Sequence, residues 1–151
     1  MALENEIKQE KFKSEYNKMI VNLMFTNNWL VGKEMEILRP HNLTVSQYNV
    51  LRILRGQKGK AATINLIIDR MLDRMSNASR IVDRLEKKGL VTRKPSKADR
   101  RAVDVLITDK ALKLLSTLDE KMDDWEKSFR EISIEEAETL NVLLDKIRRA
   151  Q

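Results

Sequence analysis

Apolar side chains recur at Ile7, Phe12, Tyr16, Met19, Ile20, Leu23, Met24, Leu30 and Val31, the spacing of one stripe on a helix. This predicts one long helix over residues 6–38, stopped near Arg39 because Pro40 disfavours helical geometry in the residue before it. Thr44 and Gln47 then have capping-box spacing, with Leu43 and Tyr48 placed as a hydrophobic staple. Gln57-Lys58-Gly59-Lys60 reads as a turn, after which Thr63 caps a short helix carrying Ile64, Ile67, Ile68 and Met71. Next comes a stripe of Ala78, Ile81, Val82 and Leu85 at i, i+3, i+4 and i+7. Asp73 or Ser76 is the expected cap of that helix and Gly89 its end, while Asn77, Arg80, Arg84 and Lys87 or Lys88 lie on the opposite side.

After Gly89 the period changes from helical to alternating. Leu90-Val91-Thr92-Arg93 forms one predicted strand and residues 102–108 a second, joined by a basic tip over 94–101 that contains Pro95. A two-stranded hairpin is marginal alone, so this one must lean on the helices before it. Thr108 caps a further long helix with Leu112, Leu115, Leu118, Met122, Trp125 and Phe129 on its stripe. Ser133 and Glu136 make a second capping box, opening a last helix expected to turn Ala137, Leu140, Leu143, Leu144 and Ile147 inward. The fold class is mainly α (α+β), and residues 44–108 follow the order of a winged helix-turn-helix with a two-stranded wing.

Charge sharpens this reading. Eleven of the 29 Lys and Arg but only four of the 23 Asp and Glu stand between Arg70 and Arg101, a net +7 within a chain of net +6. Solvated charged faces usually alternate in sign, so one basic segment on an otherwise neutral chain points to a polyanion. The chain has no cysteine, which removes disulfides, thiolate metal sites, cysteine nucleophiles and thiol redox switches. The polar, acidic N-terminus and the interruption of residues 19–31 by asparagines predict a cytoplasmic chain without a membrane span. His41, the only histidine, reads as a turn residue, and no metal or cofactor is expected. The acids around Asp123 and Asp124 read as a solvated face. No nucleophile, base and orienting group assemble, and no glycine-rich phosphate loop is present, so an enzyme is not expected.

A helix fits the B-form major groove, where residues of its first turns meet base edges while cations engage phosphate. Ser76, Asn77, Ser79 and Arg80 occupy those first turns, with Asn suited to adenine and Arg to guanine. Arg74, Arg84, Lys87 and Lys88 suit phosphates, which set register without reading sequence. Lys94, Lys97, Arg100 and Arg101 on the hairpin tip suit the adjoining minor groove or its backbone.

The run Ser79-Arg80-Ile81-Val82-Asp83-Arg84-Leu85-Glu86-Lys87-Lys88-Gly89-Leu90-Val91, followed by Asp99-Arg100-Arg101 and a strand ending in Thr108, resembles the MarR (multiple-antibiotic-resistance regulator) family of winged-helix proteins. The resemblance implies a homodimer held by the N-terminal and last two helices, each subunit placing one recognition helix and one wing on a roughly palindromic operator. It divides the single domain, 1–151, into a DNA-binding lobe over 42–108 and a dimerisation lobe over 6–39 and 109–150. It makes Asp99 the brace of the wing and Arg100 or Arg101 the minor-groove probe. It also offers Trp29 and Tyr48 as candidates to line a site for a small aromatic ligand between the lobes. One departure stands out: the family usually has a glycine in the turn before the recognition helix, where this chain has Leu72-Asp73-Arg74-Met75.

The expected function is a sequence-specific regulator on double-stranded DNA, most often a repressor in such a family, released when a ligand changes the spacing of the two recognition helices. Helix-turn-helix dimers need those helices about 34–36 Å apart, so a small rotation suffices. The alternative is a nonspecific architectural or protein-interaction winged-helix module. An electrostatic binder of that kind needs no Ser76, Asn77 or Ser79 and depends steeply on salt.

Overall fold

A computed structural model describes residues 2–96 and 102–149. Its elements run α1 (Leu3–Ile7), α2 (Glu15–Leu38), a 3-10 turn (Arg39–His41), α3 (Val45–Arg55), β1 (Ala62–Thr63), α4 (Ile64–Arg70), α5 (Ala78–Lys87), β2 (Val91–Pro95), β3 (Val103–Ile107), α6 (Asp109–Lys127) and α7 (Ile134–Arg149). This is the mainly helical winged-helix architecture that the pattern predicts. The chain forms two compact units, Met1–Leu112 and Lys113–Gln151.

The single helix expected over residues 6–38 is in fact two. Lys8 adopts a left-handed conformation, φ 54°, at the end of α1, and α2 begins only at Glu15. The Ser14 hydroxyl accepts the Asn17 amide at 3.1 Å, satisfying one of the amides that a helix start leaves unpaired. Phe12 keeps helical spacing with Tyr16 and Met19, so the apolar period carries the pattern back past the true start at Glu15. Lys18 ties the segment back through an ion pair with Glu4 and lies 5.9 Å from the Phe12 ring centroid.

Local capping signals fare better. Thr44 accepts the Gln47 amide at 3.2 Å while Gln47 accepts the Thr44 amide at 3.3 Å, the complete reciprocal box. Ser133 and Glu136 do the same for α7, at 3.2 and 2.8 Å. Thr63 receives the Leu66 amide at 3.2 Å and Thr108 the Ala111 amide at 3.3 Å, starting α4 and α6.

The wing differs from the predicted two-stranded hairpin by a third strand. β1 pairs antiparallel with β3, Ala62 opposite Val105 and Thr63 opposite Asp104, giving the order β1-β3-β2. Two residues are too few to show alternation, which is why the sequence does not announce them. Ala62 is fully buried, so this short pairing seats the wing on the helical core. Pro95 stands opposite Val103 in the edge strand, where a missing N–H costs no ladder bond.

In the first unit the core gathers Leu38 from α2, Val50, Leu51 and Leu54 from α3, Ile67 from α4, Val82 and Leu85 from α5, Val91 from β2 and Val105 from β3, all almost wholly buried. In the second unit Leu115 and Leu118 of α6 are buried, and Trp125 meets Phe129 edge to face at 5.8 Å. The α7 stripe departs from expectation. Instead of pointing inward, Leu140, Leu143 and Ile147 are exposed, and α7 has no buried residue. An uncovered apolar stripe of this extent on a capped helix is a surface suited to an interaction.

Gly89 ends α5 as a Schellman turn. Its φ is 69°, its amide donates to the Glu86 carbonyl at 2.8 Å, and the Leu90 amide reaches back to the Leu85 carbonyl at 2.9 Å. A Cβ here would meet only Lys110 Nζ, at 3.8 Å, so the demand for glycine is conformational. Gly89→Ala is therefore expected to cost roughly 1–2 kcal/mol, lowering the melting temperature by about 2–8 °C in a thermal melt followed by circular dichroism.

Candidate nucleic-acid interface

α5 is amphipathic and seated by its apolar side. Ala78, Val82 and Leu85 are buried, and the helix packs on α3, α4 and β2. Ser79, Arg80, Arg84 and Lys87 are exposed on the other side. Arg80, Arg84 and Lys87 follow one another at i, i+4 and i+7, so they form a row along the outer face.

The cap of this helix is neither Asp73 nor Ser76, the two residues expected from sequence, but Asn77. Its side-chain oxygen accepts the Arg80 amide at 3.0 Å. Asn77 thereby uses one polar atom to start the helix and keeps its side-chain amide group for another partner.

Asp73 instead shapes the turn before the helix. One carboxylate oxygen accepts the Met75 amide at 3.0 Å and the other accepts the Ser76 hydroxyl. Those hydrogen bonds, the Ser76 hydroxyl foremost, hold the Asp73 carboxyl below its ordinary range. None of residues 72–76 adopts positive φ, so an aspartate-centred turn does here what the resemblance assigns to glycine. The turn is pinned from outside as well, because Asn49 of α3 accepts the Leu72 amide at 3.1 Å.

The acids of α5 are engaged by the wing. Arg93 of β2 pairs with Asp83 through Nη1 and with Glu86 through Nη2 at 2.6 Å and Nε at 2.8 Å. Sequence reading placed Arg93 on a strand without a role. The signal available was the pair of acids three residues apart on the helix, with an arginine seven residues beyond the second. The clamp fixes β2 against α5 and pairs both carboxylates with one guanidinium, cancelling one of their two negative charges beside the row of cations. Among the described residues, Arg74, Arg80, Arg84 and Lys87 have no carboxylate partner.

Lys88, expected to face phosphates with Lys87, does not join the outward row. Its ammonium turns inward, donating to the Asn42 carbonyl and, at 2.9 Å, to Gln47 Oε1. Burial, and secondarily the charge of Arg84, push its pKa below the ordinary lysine value. It joins the end of α5 to the capping box of α3. Lys94 is exposed on β2 opposite Asp104. Lys97, Asp99, Arg100 and Arg101 lie outside the described residues; the strands are joined beside them by the Ser96 amide donating to the Ala102 carbonyl at 3.0 Å.

Trp29 and Tyr48 line separate spaces. Trp29 borders a cavity of about 370 Å³ with Leu3, Glu6, Asn22, Phe25 and Thr26. Tyr48, buried, borders a cleft of about 50 Å³ among Glu34, Asn49, Arg52, Met71 and Asp73. The Arg52 guanidinium lies 5.8 Å from the Tyr48 ring centroid. Burial raises the Glu34 carboxyl above its ordinary range, and Arg52 only partly offsets this. No helix among the described residues is long and apolar enough to cross a membrane.

Comparison with known proteins places this geometry. A family model described as MarR family matches residues 41–102. The HTH-type transcriptional regulator YfiV of Bacillus subtilis (strain 168) is 35% identical over 80 residues, 53% of this chain and 49% of that protein, so the match spans about half of that relative. The crystal structure of a MarR transcription factor from Planctomyces limnophilus is 31% identical, with 93% of this chain and 100% of that one aligned at a TM-score of 0.66. BpsR of Bordetella bronchiseptica, whose DNA binding is regulated by 6-hydroxynicotinic acid, shares the fold at a TM-score of 0.75 with 22% identity, over 93% of this chain and 99% of that one.

Two outcomes are expected of these contacts. Arg93→Met frees Asp83 and Glu86 beside the cationic row, and should weaken duplex binding in a fluorescence-anisotropy titration about tenfold. The same variant should move the melting temperature by only about 2 °C, since exposed ion pairs are each worth roughly 0–1 kcal/mol. Glu34 has a raised folded pKa, so its ionisation penalises the fold as pH rises from below the ordinary glutamate value through the folded one. Glu34→Gln should accordingly melt about 2 °C higher at pH 7, the advantage vanishing below about pH 4 in a pH series of melts.

Proposed function

Because this chain belongs to the MarR family, we propose that it regulates transcription by binding double-stranded DNA as a homodimer, acting as a repressor on a palindromic operator. The observation that carries this reading is the outward row of Arg80, Arg84 and Lys87 on α5, with the neighbouring acids taken up by Arg93. A helix whose buried face fits its own core and whose exposed cations lack carboxylate partners among the described residues is arranged to enter a groove lined by phosphates. Arg80 and Ser79 in the first turn meet base edges, with Ser76 and the Asn77 amide group at the helix entrance. Arg74, Arg84 and Lys87 hold phosphates. Lys94 leads into the wing, where the family pattern gives Lys97, Arg100 and Arg101 to DNA and Asp99 to bracing.

Homodimerisation is supported by apolar side chains that the single chain leaves open. Tyr16, Ile20 and Met24 are exposed on α2, and Ile134, Leu140 and Leu143 on α7. A second copy covers such surfaces symmetrically in a two-fold dimer. In this reading 6–39 and 109–150 form the dimerisation lobe and 42–108 the DNA-binding lobe, and catalysis has no part. A small aromatic ligand releases the operator by favouring a dimer with the wrong helix spacing; the spaces bordered by Trp29 and Tyr48 are where it is sought.

Selection of binding sites from random duplexes, followed by titration at several salt concentrations, tests the proposal. An inverted repeat should emerge. Arg84→Ala should weaken every duplex and flatten the salt slope by about 2 for a dimer, one phosphate per subunit. Arg80→Ala should relax the preference at one base pair per half-site, a loss of about 1–3 kcal/mol of discrimination. A scrambled duplex that competes equally would replace specific regulation by nonspecific DNA packaging.

A further inference from the structure

The two most exposed large apolar side chains among the described residues are Met75, at 96%, and Leu72, at 87%. Both lie in the turn that leads into α5. Single exposed apolar residues are ordinary, but here the two most exposed stand three residues apart in one turn, and that turn is held firmly. Met71 before it is buried, the Leu72 amide is bonded to Asn49 and the Met75 amide to Asp73, and Asn77 starts the helix two residues on. Arg74, which has no carboxylate partner among the described residues, stands between the two apolar residues. The turn thus presents an apolar pair on a fixed backbone, continuous with the surface assigned to DNA.

The atoms that a major groove offers to an apolar group are the C5-methyls of thymine. We propose that Met75, flanked by Leu72, reads thymine methyl groups at the edge of each half-site, next to the bases met by the first turn of α5. Methionine suits this task because its unbranched, polarisable thioether adapts to a methyl whose position varies with local DNA shape. The inference rests on the DNA-binding reading above but makes a separate claim, since cations and hydrogen-bonding residues account for binding without it.

The test replaces each thymine of the selected duplex, one at a time, by deoxyuridine, which removes the methyl and leaves the base-pairing edge intact. With the wild-type full chain, one or two symmetry-related positions should weaken binding about fourfold each, the worth of one buried methyl. With Met75→Ala the same positions should become indifferent to the methyl, while any other sensitive thymines keep their effect. Leu72→Ala should reduce the effect in part. Both substitutions fall on open surface, and unchanged melting curves would separate loss of contact from loss of fold. If the wild-type chain binds the duplex but no methyl effect depends on Met75, the proposal is overturned and the DNA-binding reading stands. If no duplex is bound at all, both fall together.

Discussion

The structure depends on the seating of α5. A helix with Ala78, Val82 and Leu85 along one side and Arg80, Arg84 and Lys87 along another has one orientation that buries the apolar side and leaves every cation hydrated. The surrounding elements hold that orientation from four directions. Asn77 fixes where the helix starts, Gly89 where it stops, Lys88 ties its end to the α3 capping box, and Arg93 locks its acidic flank to the wing. Removing the apolar contacts would cost more than any one of these tethers, since a buried Leu or Val is worth about 1.5–3 kcal/mol and an exposed ion pair roughly 0–1. The tethers set angle and register, and packing supplies the stability.

What was legible in the sequence was local. The boxes at Thr44–Gln47 and Ser133–Glu136, and the caps at Thr63 and Thr108, need only partners three residues apart, so spacing alone reveals them. Gly89 was equally readable because the period changes immediately after it. The basic row on α5 followed from helical geometry applied to four residues. These suffice to place α5 with its outward cations and the two strands of the wing.

What was not legible depends on partners distant in the chain or on competition between near-equal neighbours. Asp73, Ser76 and Asn77 are all good caps, and which one wins is settled by where Met71 is buried and where Asn49 holds the Leu72 amide, a contact across 23 residues. Lys88 looks like Lys87 in sequence, but the two point to different sides of the helix, one toward Gln47 and the other toward solvent. β1 is invisible because two residues carry no period, and its reality comes from β3 lying beside it. The break before Glu15 is hidden because Phe12 stays in helical spacing with Tyr16 and Met19, and only the five-residue step from Ile7 to Phe12 departs from the period.

The turn before α5 shows how a different local chemistry reaches the same geometry. Glycine at such a place supplies backbone freedom, which leaves the unfolded chain more entropy to lose. Here Asp73 uses both carboxylate oxygens to collect the Met75 amide and the Ser76 hydroxyl, and no residue of the turn needs positive φ. The exchange has an electrostatic side. An aspartate beside a row of cations offsets part of their charge, and its hydrogen bonds favour the charged form, holding its pKa below the ordinary range. Arg74, next in the chain, carries the opposite charge on the exposed side, so the turn carries no net negative charge. Asp83 and Glu86 are offset in the same way but only by half, since the single charge of Arg93 is shared between them.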